Sequence, residues 1–260
     1  MIRHFKIFLL LLRHTIVGQS AYRLSFALIF GGKLLRVFLY VAFADAIFRN
    51  VPEIAGWTSE RIPLLILTLF ILDFITGITF HRNLLYWFPE WLIKGEYDYL
   101  IVRPVNLIFL TSFRVIDFYD MLSLFGIAII FVGYLAIAAV SLAQLIGYVI
   151  LLVAAYFILF AFTLLLASIN FWTYMPTGIG RMYESIERLN RFPLDALPKF
   201  WRVTLFYVVP VAVAGNIPAK FLIGTWSWAQ LLYIIVFASI IFTVAVKFWY
   251  FALTRYQSAA

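Results

Sequence analysis

Charged side chains inside apolar stretches are the first candidates for chemistry in this sequence. Lys33, Arg36 and Asp73 each interrupt an apolar run long enough for a membrane helix, where an unpaired charge costs about 2.5–3.5 kcal/mol or more. Counting about 1.5 Å of rise per residue from the same membrane face places Arg36 and Asp73 at similar depth on antiparallel neighbours. We therefore predict an Arg36–Asp73 pair, with Lys33 reaching towards the cytosol. Such a pair either locks two helices together or serves a substrate or a proton.

A second charged set lies further along the chain. Arg114, Asp117 and Asp120 follow one another at i, i+3 and i+6. These side chains could bond within one helix or mark a helix that begins outside the membrane. A short proton relay is the third interpretation.

Motifs for nucleotide, metal or nucleophile chemistry are absent from the sequence. It contains no GxxxxGKS or GxxxxGKT phosphate loop, no HExxH and no GxSxG. The absence of cysteine excludes disulfides and thiolate metal sites, and His4, His14 and His81 are scattered. The sequence therefore predicts no catalytic residue, no metal site and no cofactor held by this chain. An enzyme acting on lipid stays possible only through carboxylates such as Asp73 or Asp117.

The composition is that of an integral membrane protein. Of the 260 residues, 65% are hydrophobic and 12% are charged, and the mean hydropathy is +1.01. Soluble domains carry about 25% charged residues, whereas apolar stretches of about 20 residues cross a bilayer as helix. We predict an all-α fold with six membrane spans in one transmembrane domain over residues 1–260. The predicted spans are Ser25–Phe48, Ile62–Phe80, Leu107–Ala139, Leu142–Trp172, Val203–Ala214 and Ala229–Leu253.

Three further segments complete the predicted architecture. Residues 1–20 place apolar side chains on one helical face and basic ones on the other, which predicts an amphipathic helix in the membrane interface. A signal peptide is the alternative, disfavoured because Arg13 closely follows a short apolar run. Residues 173–202 form a second polar segment that is partly helical. Residues 215–228, marked by Gly and Pro, predict a re-entrant segment after a short fifth span.

The basic residues are distributed unevenly between the two membrane sides. Six spans place both termini on one side, together with residues 81–106 and 173–202. The opposite loops carry only Arg49, Arg61 and Lys220. The positive-inside rule therefore predicts that both termini and both polar segments are cytosolic. The net charge of +8 is then explained by span ends near anionic lipid rather than by a nucleic-acid partner.

The polar stretch Lys94–Asn106, which reads KGEYDYLIVRPVN, separates two spans. Gly95 frees the backbone there, and Pro104 disfavours the α region for Arg103. A short helix or turn is the predicted structure. We predict that this stretch faces the cytosol and that another subunit docks on it.

Five stretches stand out along the chain, which are Gly95–Asn106, Phe113–Asp120, Phe171–Trp172, Arg191–Leu197 and Val208–Gly224. With the order of the segments, they resemble the permease subunit of bacterial ABC-2 type exporters. The resemblance implies that ATP and Mg are bound by a separate ATPase subunit and that this chain is not itself an enzyme. It also implies that two permeases, identical or related, form the pathway at their interface in the bacterial cytoplasmic membrane.

The resemblance further implies two functional regions. Tyr86–Lys94 would form the coupling helix with Gly95–Pro104 beside it, its aromatic residues (Trp87, Phe88, Trp91) in lipid and its carboxylates facing the ATPase. A solvated turn without a partner is the simpler alternative. The implied coupling residues are Trp87, Glu90, Trp91, Lys94, Gly95, Glu96, Asp98, Arg103 and Pro104. The implied outer-gate residues are Pro210, Gly215, Pro218 and Gly224.

Two other functions remain open at this point. One is a self-contained secondary transporter or channel, and the other is an intramembrane enzyme acting on lipid. Secondary transporters often show internal repeats with paired broken helices, whereas this sequence shows one broken region. An ATPase that purifies with the chain distinguishes the exporter from both alternatives.

Overall fold

The computed structural model describes residues 2–20, 23–51, 53–54, 56–138, 140–173, 178–190, 197–207 and 211–257. These residues are helical apart from turns and one hairpin, in which β1 (Glu53–Ile54) pairs antiparallel with β2 (Trp57–Thr58). The first half contains α1 (Ile2–Ser20), α2 (Arg23–Phe48), α3 (Ile62–Ile78), a π-helical turn (Asn83–Trp87), α4 (Phe88–Ile93), α5 (Asp98–Ile101), α6 (Leu107–Phe113) and α7 (Phe118–Ile137). The second half contains α8 (Leu142–Ser168), α9 (Asn170–Thr173), α10 (Gly178–Asn190), α11 (Lys199–Tyr207), α12 (Val211–Leu222) and α13 (Trp228–Leu253).

Four of the described helices are long and apolar enough to cross a membrane. A fifth span results if α3 and Asn83–Ile93, which are bent by 51° at the break between them, are taken as one crossing. The chain is therefore an all-α, multi-pass membrane protein with four or five candidate spans, and six spans stay a prediction. The four are Leu24–Phe48, Phe118–Ala136, Leu142–Thr173 and Trp228–Leu253.

Helix α1 is not one of the candidate spans, and it packs against α2 and α7. The ring of Phe8 packs edge-on against Phe113 of α6, with the two centroids 6.1 Å apart. This contact places one turn of α1 beside the end of α6, where the chain breaks before α7. An interfacial position for α1 stays a prediction.

The third predicted span is interrupted near its start. Helix α6 ends at Phe113, and α7 begins only at Phe118. Asp117 has extended backbone, and its side chain accepts a hydrogen bond from the Asp120 N–H at 3.0 Å. Because a carboxylate in this position caps a new helix, the prediction of one continuous span from Leu107 is wrong.

The break predicted around the fifth span is also wrong as far as residue 222. Helix α12 continues through Gly215 and Pro218, although a proline inside a helix removes one backbone hydrogen bond. Packing against α3 and α8 supports this helix. The chain turns after α12, at Gly224, whose φ of 75° lies in the left-handed region. Pro210 lies outside the described residues, and a re-entrant path stays a prediction.

Helix α8 is the centre of the bundle, because it packs against α3, α12 and α13. Its start is fixed by a capping box between Ser141 and Gln144, and Ser227 with Gln230 begins α13 in the same way. Reciprocal bonds of this kind satisfy backbone donors that a helix start otherwise leaves unpaired. Both helices of the α8–α13 contact therefore begin at a defined residue.

A glycine allows α8 and α12 to approach closely. A Cβ atom at Gly147 of α8 would lie 2.0 Å from Cε1 of Phe221, a buried ring of α12. The same atom at Gly133 of α7 would meet nothing within 4 Å. The two glycines are thus a matched pair, one at a helix contact and one in open space.

We predict that Gly147→Ala destabilises the protein and that Gly133→Ala does not. Overpacking of a close contact costs about 1–3 kcal/mol, whereas alanine in an uncrowded helix gains up to about 1 kcal/mol over glycine. Intrinsic tryptophan fluorescence during heating of the purified protein in detergent measures both midpoints. Equal midpoints for the two variants would contradict the close α8–α12 contact.

Candidate functional site: the 88–105 loop and the charged cavity

The 88–105 loop consists of α4 and α5, joined by a tight turn. Gly95 has a φ of 68°, a conformation that glycine adopts without steric cost. The Tyr97 N–H donates to the Trp91 carbonyl at 3.1 Å and closes the end of α4. The loop therefore has one defined conformation rather than an open coil.

The inner face of the loop is an aromatic contact with the rest of the bundle. Phe88 is fully buried, and its ring centroid lies 5.1 Å from Tyr97, 5.2 Å from Phe171 and 5.0 Å from Trp249. Burial raises the pKa of the Tyr97 hydroxyl well above its usual range, so this group stays neutral. The cluster fixes the loop to α9, which directly follows α8, and to the end of α13.

A second aromatic contact holds the middle of α4. Trp91 is 5% exposed, and the Arg114 guanidinium lies 4.5 Å from the centre of its ring, within the range of a cation–π contact. Trp87 is 41% exposed. The prediction that Phe88 and Trp91 anchor the loop in lipid is therefore wrong, because both rings are buried against other parts of the protein.

The carboxylates of the loop have partners in their own chain. The resemblance assigned these groups to contacts with an ATPase, whereas the structure pairs each of them within the bundle end. They brace the loop in its observed conformation. The pairs are Glu90 Oε2 with Lys94 Nζ (3.2 Å), Glu96 Oε2 with Arg114 Nη2 (3.8 Å), and Asp98 Oδ1 with the Tyr256 hydroxyl (3.0 Å).

The outer face of the loop is apolar with basic edges. Tyr99 is 73% exposed and Val102 is 80% exposed, and Arg103 and Pro104 after them are also exposed. These apolar residues were missed because charge, rather than hydrophobicity, distinguishes Lys94–Asn106 in an apolar chain. The available signal was helical spacing, since Tyr99 and Val102 are three residues apart on one side of α5.

The charges inside the bundle form one pair and one shared network. Arg36 Nη2 lies 2.6 Å from Asp73 Oδ2, so the residues whose pairing the depth count predicts are in contact. Lys33 Nζ contacts Asp120 and lies 3.5 Å from Asp117 Oδ1. The predicted direction of Lys33, towards the cytosol, stays a prediction, and sequence reasoning missed its two carboxylate partners at the start of α7.

Arg82 completes this network from the π-helical region. Its guanidinium contacts Asp117, and Nη2 lies 3.9 Å from Asp120 Oδ2. The two aspartates thus share Lys33 and Arg82. Arg114, which precedes Asp117 by three residues, contacts the ring of Trp91 instead. The pairs join α2, α3, α7 and the start of the π-helical turn.

A polar cavity of about 410 Å³ lies over these ion pairs. Helix α10 covers one side of it. The Tyr86 hydroxyl donates to the Glu184 carboxylate, and the ring of Tyr183 lies 5.0 Å from that of His81. The cavity could hold water or a small charged group between the helices. Its lining residues are Lys33, Arg36, Asp73, Gly77, His81, Arg82, Tyr86, Asp120, Glu184 and Glu187.

The buried amide of Asn83 holds the π-helical turn against the α6–α7 break. Its Nδ2 donates to the carbonyls of Thr79 (2.7 Å), Ser112 (3.0 Å) and Val115 (2.7 Å). Its Oδ1 accepts from the Val115 N–H at 3.0 Å. Asn83 therefore satisfies backbone groups that the interrupted helix leaves open, and sequence reasoning missed this role.

The predicted outer-gate residues do not form one cluster among the described residues. Gly215 lies against Leu69 of α3, and Pro218 is inside α12. Gly224 follows α12, and a Cβ atom there would lie 3.4 Å from Nε2 of Gln144. Within the described part of the chain, no group of three or more His, Asp or Glu side chains is placed to hold a metal ion.

Comparison with known proteins gives one match. A family model described as "ABC-2 family transporter protein" covers residues 34–260. The match includes the 88–105 loop, Arg36 and Asp73, and it begins one residue after Lys33. No curated protein and no solved structure matches the chain.

We predict that the Arg36–Asp73 contact is a pair whose two charges can be exchanged. Arg36→Asp or Asp73→Arg alone should lower the stability by about 1–3 kcal/mol, because each leaves a partly buried charge unmatched. The double variant should recover at least half of the loss. Thermal unfolding of the four proteins in detergent provides the cycle, and purely additive losses would show that the two residues do not interact.

Proposed function

Because the chain belongs to the ABC-2 family of transporter proteins, we propose that it is the permease subunit of an ATP-driven exporter. We further propose that the 88–105 loop binds a separate ATPase subunit. ATP and Mg would then be bound by that partner, in line with the lack of a phosphate loop in this sequence. The permease would supply the membrane pathway, and conformational changes of the ATPase would be transmitted to it through the loop.

This proposal rests on two exposed residues of the outer face, Tyr99 and Val102, which we call the apolar tip of the loop. Tyr99 and Val102 present side chains that are 73% and 80% exposed, while the inner face of the same loop is buried against Phe171 and Trp249. An aromatic residue at the centre of an apolar patch is typical of a contact that contributes much of a binding energy. Arg103 at the edge adds a charge for recognition.

The loop is also built to transmit a displacement. Its polar side chains are paired with Arg114 and Tyr256, and its rings pack on α9 and on the end of α13. Packed interfaces shift between discrete arrangements rather than deform continuously. Closure of a bound ATPase would therefore move helix ends, and the ion pairs beneath the cavity would rearrange with them.

Charge distribution supports a cytosolic position for the loop. Arg82, Lys94, Arg103 and Arg181 belong to the segments on this side of the predicted spans, and the opposite loops carry few basic residues. On this basis we propose that the loop and both termini face the cytosol, as the positive-inside rule predicts for six spans. A bacterial cytoplasmic membrane is the proposed location, where an ATPase can reach the loop.

We also propose that the pathway forms between two permeases, identical or related. Only 6% of the most apolar window of the Leu24–Phe48 helix is buried, against 56% for Leu142–Thr173. The first of these helices is thus largely uncovered within a single chain. It is available for a second permease or for lipid.

We predict that an ATPase purifies with the chain from its native membranes and depends on the apolar tip. Replacing Tyr99 and Val102 by serine should reduce recovery of the ATPase about tenfold or more, because central contacts each contribute more than about 1 kcal/mol. A matched double variant, Glu90→Gln with Glu96→Gln, should keep most of it. Mass spectrometry of the eluates and their rate of ATP hydrolysis measure the recovered ATPase for each double variant.

Two results would contradict this account. If only the carboxylate variant loses the ATPase, binding depends on charge and not on the apolar tip. If the wild-type chain purifies without any ATPase, the proposed exporter function is wrong, and a self-contained transporter or channel becomes the favoured function.

A further inference from the structure

The segment after α13 contacts the 88–105 loop, although the two are far apart in sequence. The Tyr256 hydroxyl donates to Asp98 Oδ1 at 3.0 Å. The Tyr256 ring stands nearly perpendicular to that of Tyr97, with centroids 5.7 Å apart and planes at 87°. Phe171 lies on another side of the same ring, at 5.8 Å. One tyrosine thus makes a directional bond and two ring contacts.

Two residues at the end of α13 extend this contact along the loop. Trp249 is fully buried and packs on Phe88 at 5.0 Å. The Tyr250 hydroxyl accepts a hydrogen bond from Asn106 Nδ2 at 3.3 Å. The loop is therefore contacted near its start by Trp249, near its middle by Tyr256, and just past its end by Tyr250.

These contacts give the loop a connection that does not follow the chain. By covalent linkage, the loop continues from the π-helical turn and leads into α6. Through its side chains it is also attached to α13, which packs along α8 and begins directly after the turn that follows α12. A displacement of the loop is thus applied to α13 as well as to its covalent neighbours.

We infer that Tyr256 is a positioning residue for the loop. It holds Asp98, and through Asp98 the helix α5, at a fixed distance from α13, so that the outer face of the loop is presented in one orientation. The consequence for transport, that the ATPase drives α13 through this contact, rests on the proposed function. The positioning itself is a property of the single chain.

The first experiment uses the permease alone in lipid nanodiscs. The chain has no cysteine, so spin labels can be attached at Val102→Cys and Leu232→Cys, two exposed positions on the loop and near the start of α13. Pulsed electron spin resonance then measures the distance distribution between them. Tyr256→Phe, which keeps the ring and removes the hydroxyl, should broaden or shift this distribution.

The controls separate positioning from general loosening. Tyr134→Phe, the same change in α7, should leave the distribution unchanged. Asp98→Leu should also broaden or shift the distribution, and the effect in the double variant should be smaller than the sum of the two single effects, since the two residues share one bond. A distribution in Tyr256→Phe that equals that of the unsubstituted labelled protein overturns the positioning role.

The second experiment uses the complex with the ATPase. In Tyr256→Phe, we expect full recovery of the ATPase and an unchanged KM for ATP, with a several-fold lower kcat for permease-stimulated hydrolysis. An unchanged kcat alongside a broadened distance distribution overturns the transmission through α13 and leaves the positioning intact. Absence of any ATPase with the wild-type chain overturns the proposed function, and the nanodisc result then stands by itself.

Discussion

Compensation of charge inside an apolar bundle is the constraint on which the rest of this structure depends. Lys33 and Arg36 would each be costly among membrane helices without a partner, and each contacts an aspartate on another element, as does Arg82 at the end of the bundle. Asp117 has two functions here, since it begins α7 as a helix cap and accepts an ion pair. The pairs thereby fix the relative position of α2, α3 and α7 at the end of the bundle that carries the loop.

Asn83 connects the chain just before the loop to the break between α6 and α7. Its amide binds the carbonyls of Ser112 and Val115 at the α6–α7 break, and the chain on either side of the loop therefore starts from fixed points. The rings of Phe88 and Trp249 extend the rigid region to α13. Under the proposed function, a partner that moves the loop would act on the ion pairs and the core together.

Much of this architecture follows from sequence, and the exceptions have physical causes. Composition is enough to identify a membrane protein, and counting residues from the membrane face suggests the Arg36–Asp73 contact. The partner of Lys33 could not be predicted, because a span drawn as continuous from Leu107 hides the helix start that Asp117 creates. Pro218 indicates a helix break, yet packing of α12 between its neighbours overrides that local preference. The exposed apolar tip at Val102 was missed because apolar residues carry little information in a chain this hydrophobic.

The most direct test of the central claim is a site-specific photo-cross-link in native cells. A benzoylphenylalanine placed at Val102, which is 80% exposed, should form a covalent product with an ATPase that contains a phosphate loop. The same probe at Leu142, which is 72% exposed at the far end of α8, should give no such product. A product at Leu142 alone, or no ATPase at either position, would contradict docking of a motor subunit on the 88–105 loop.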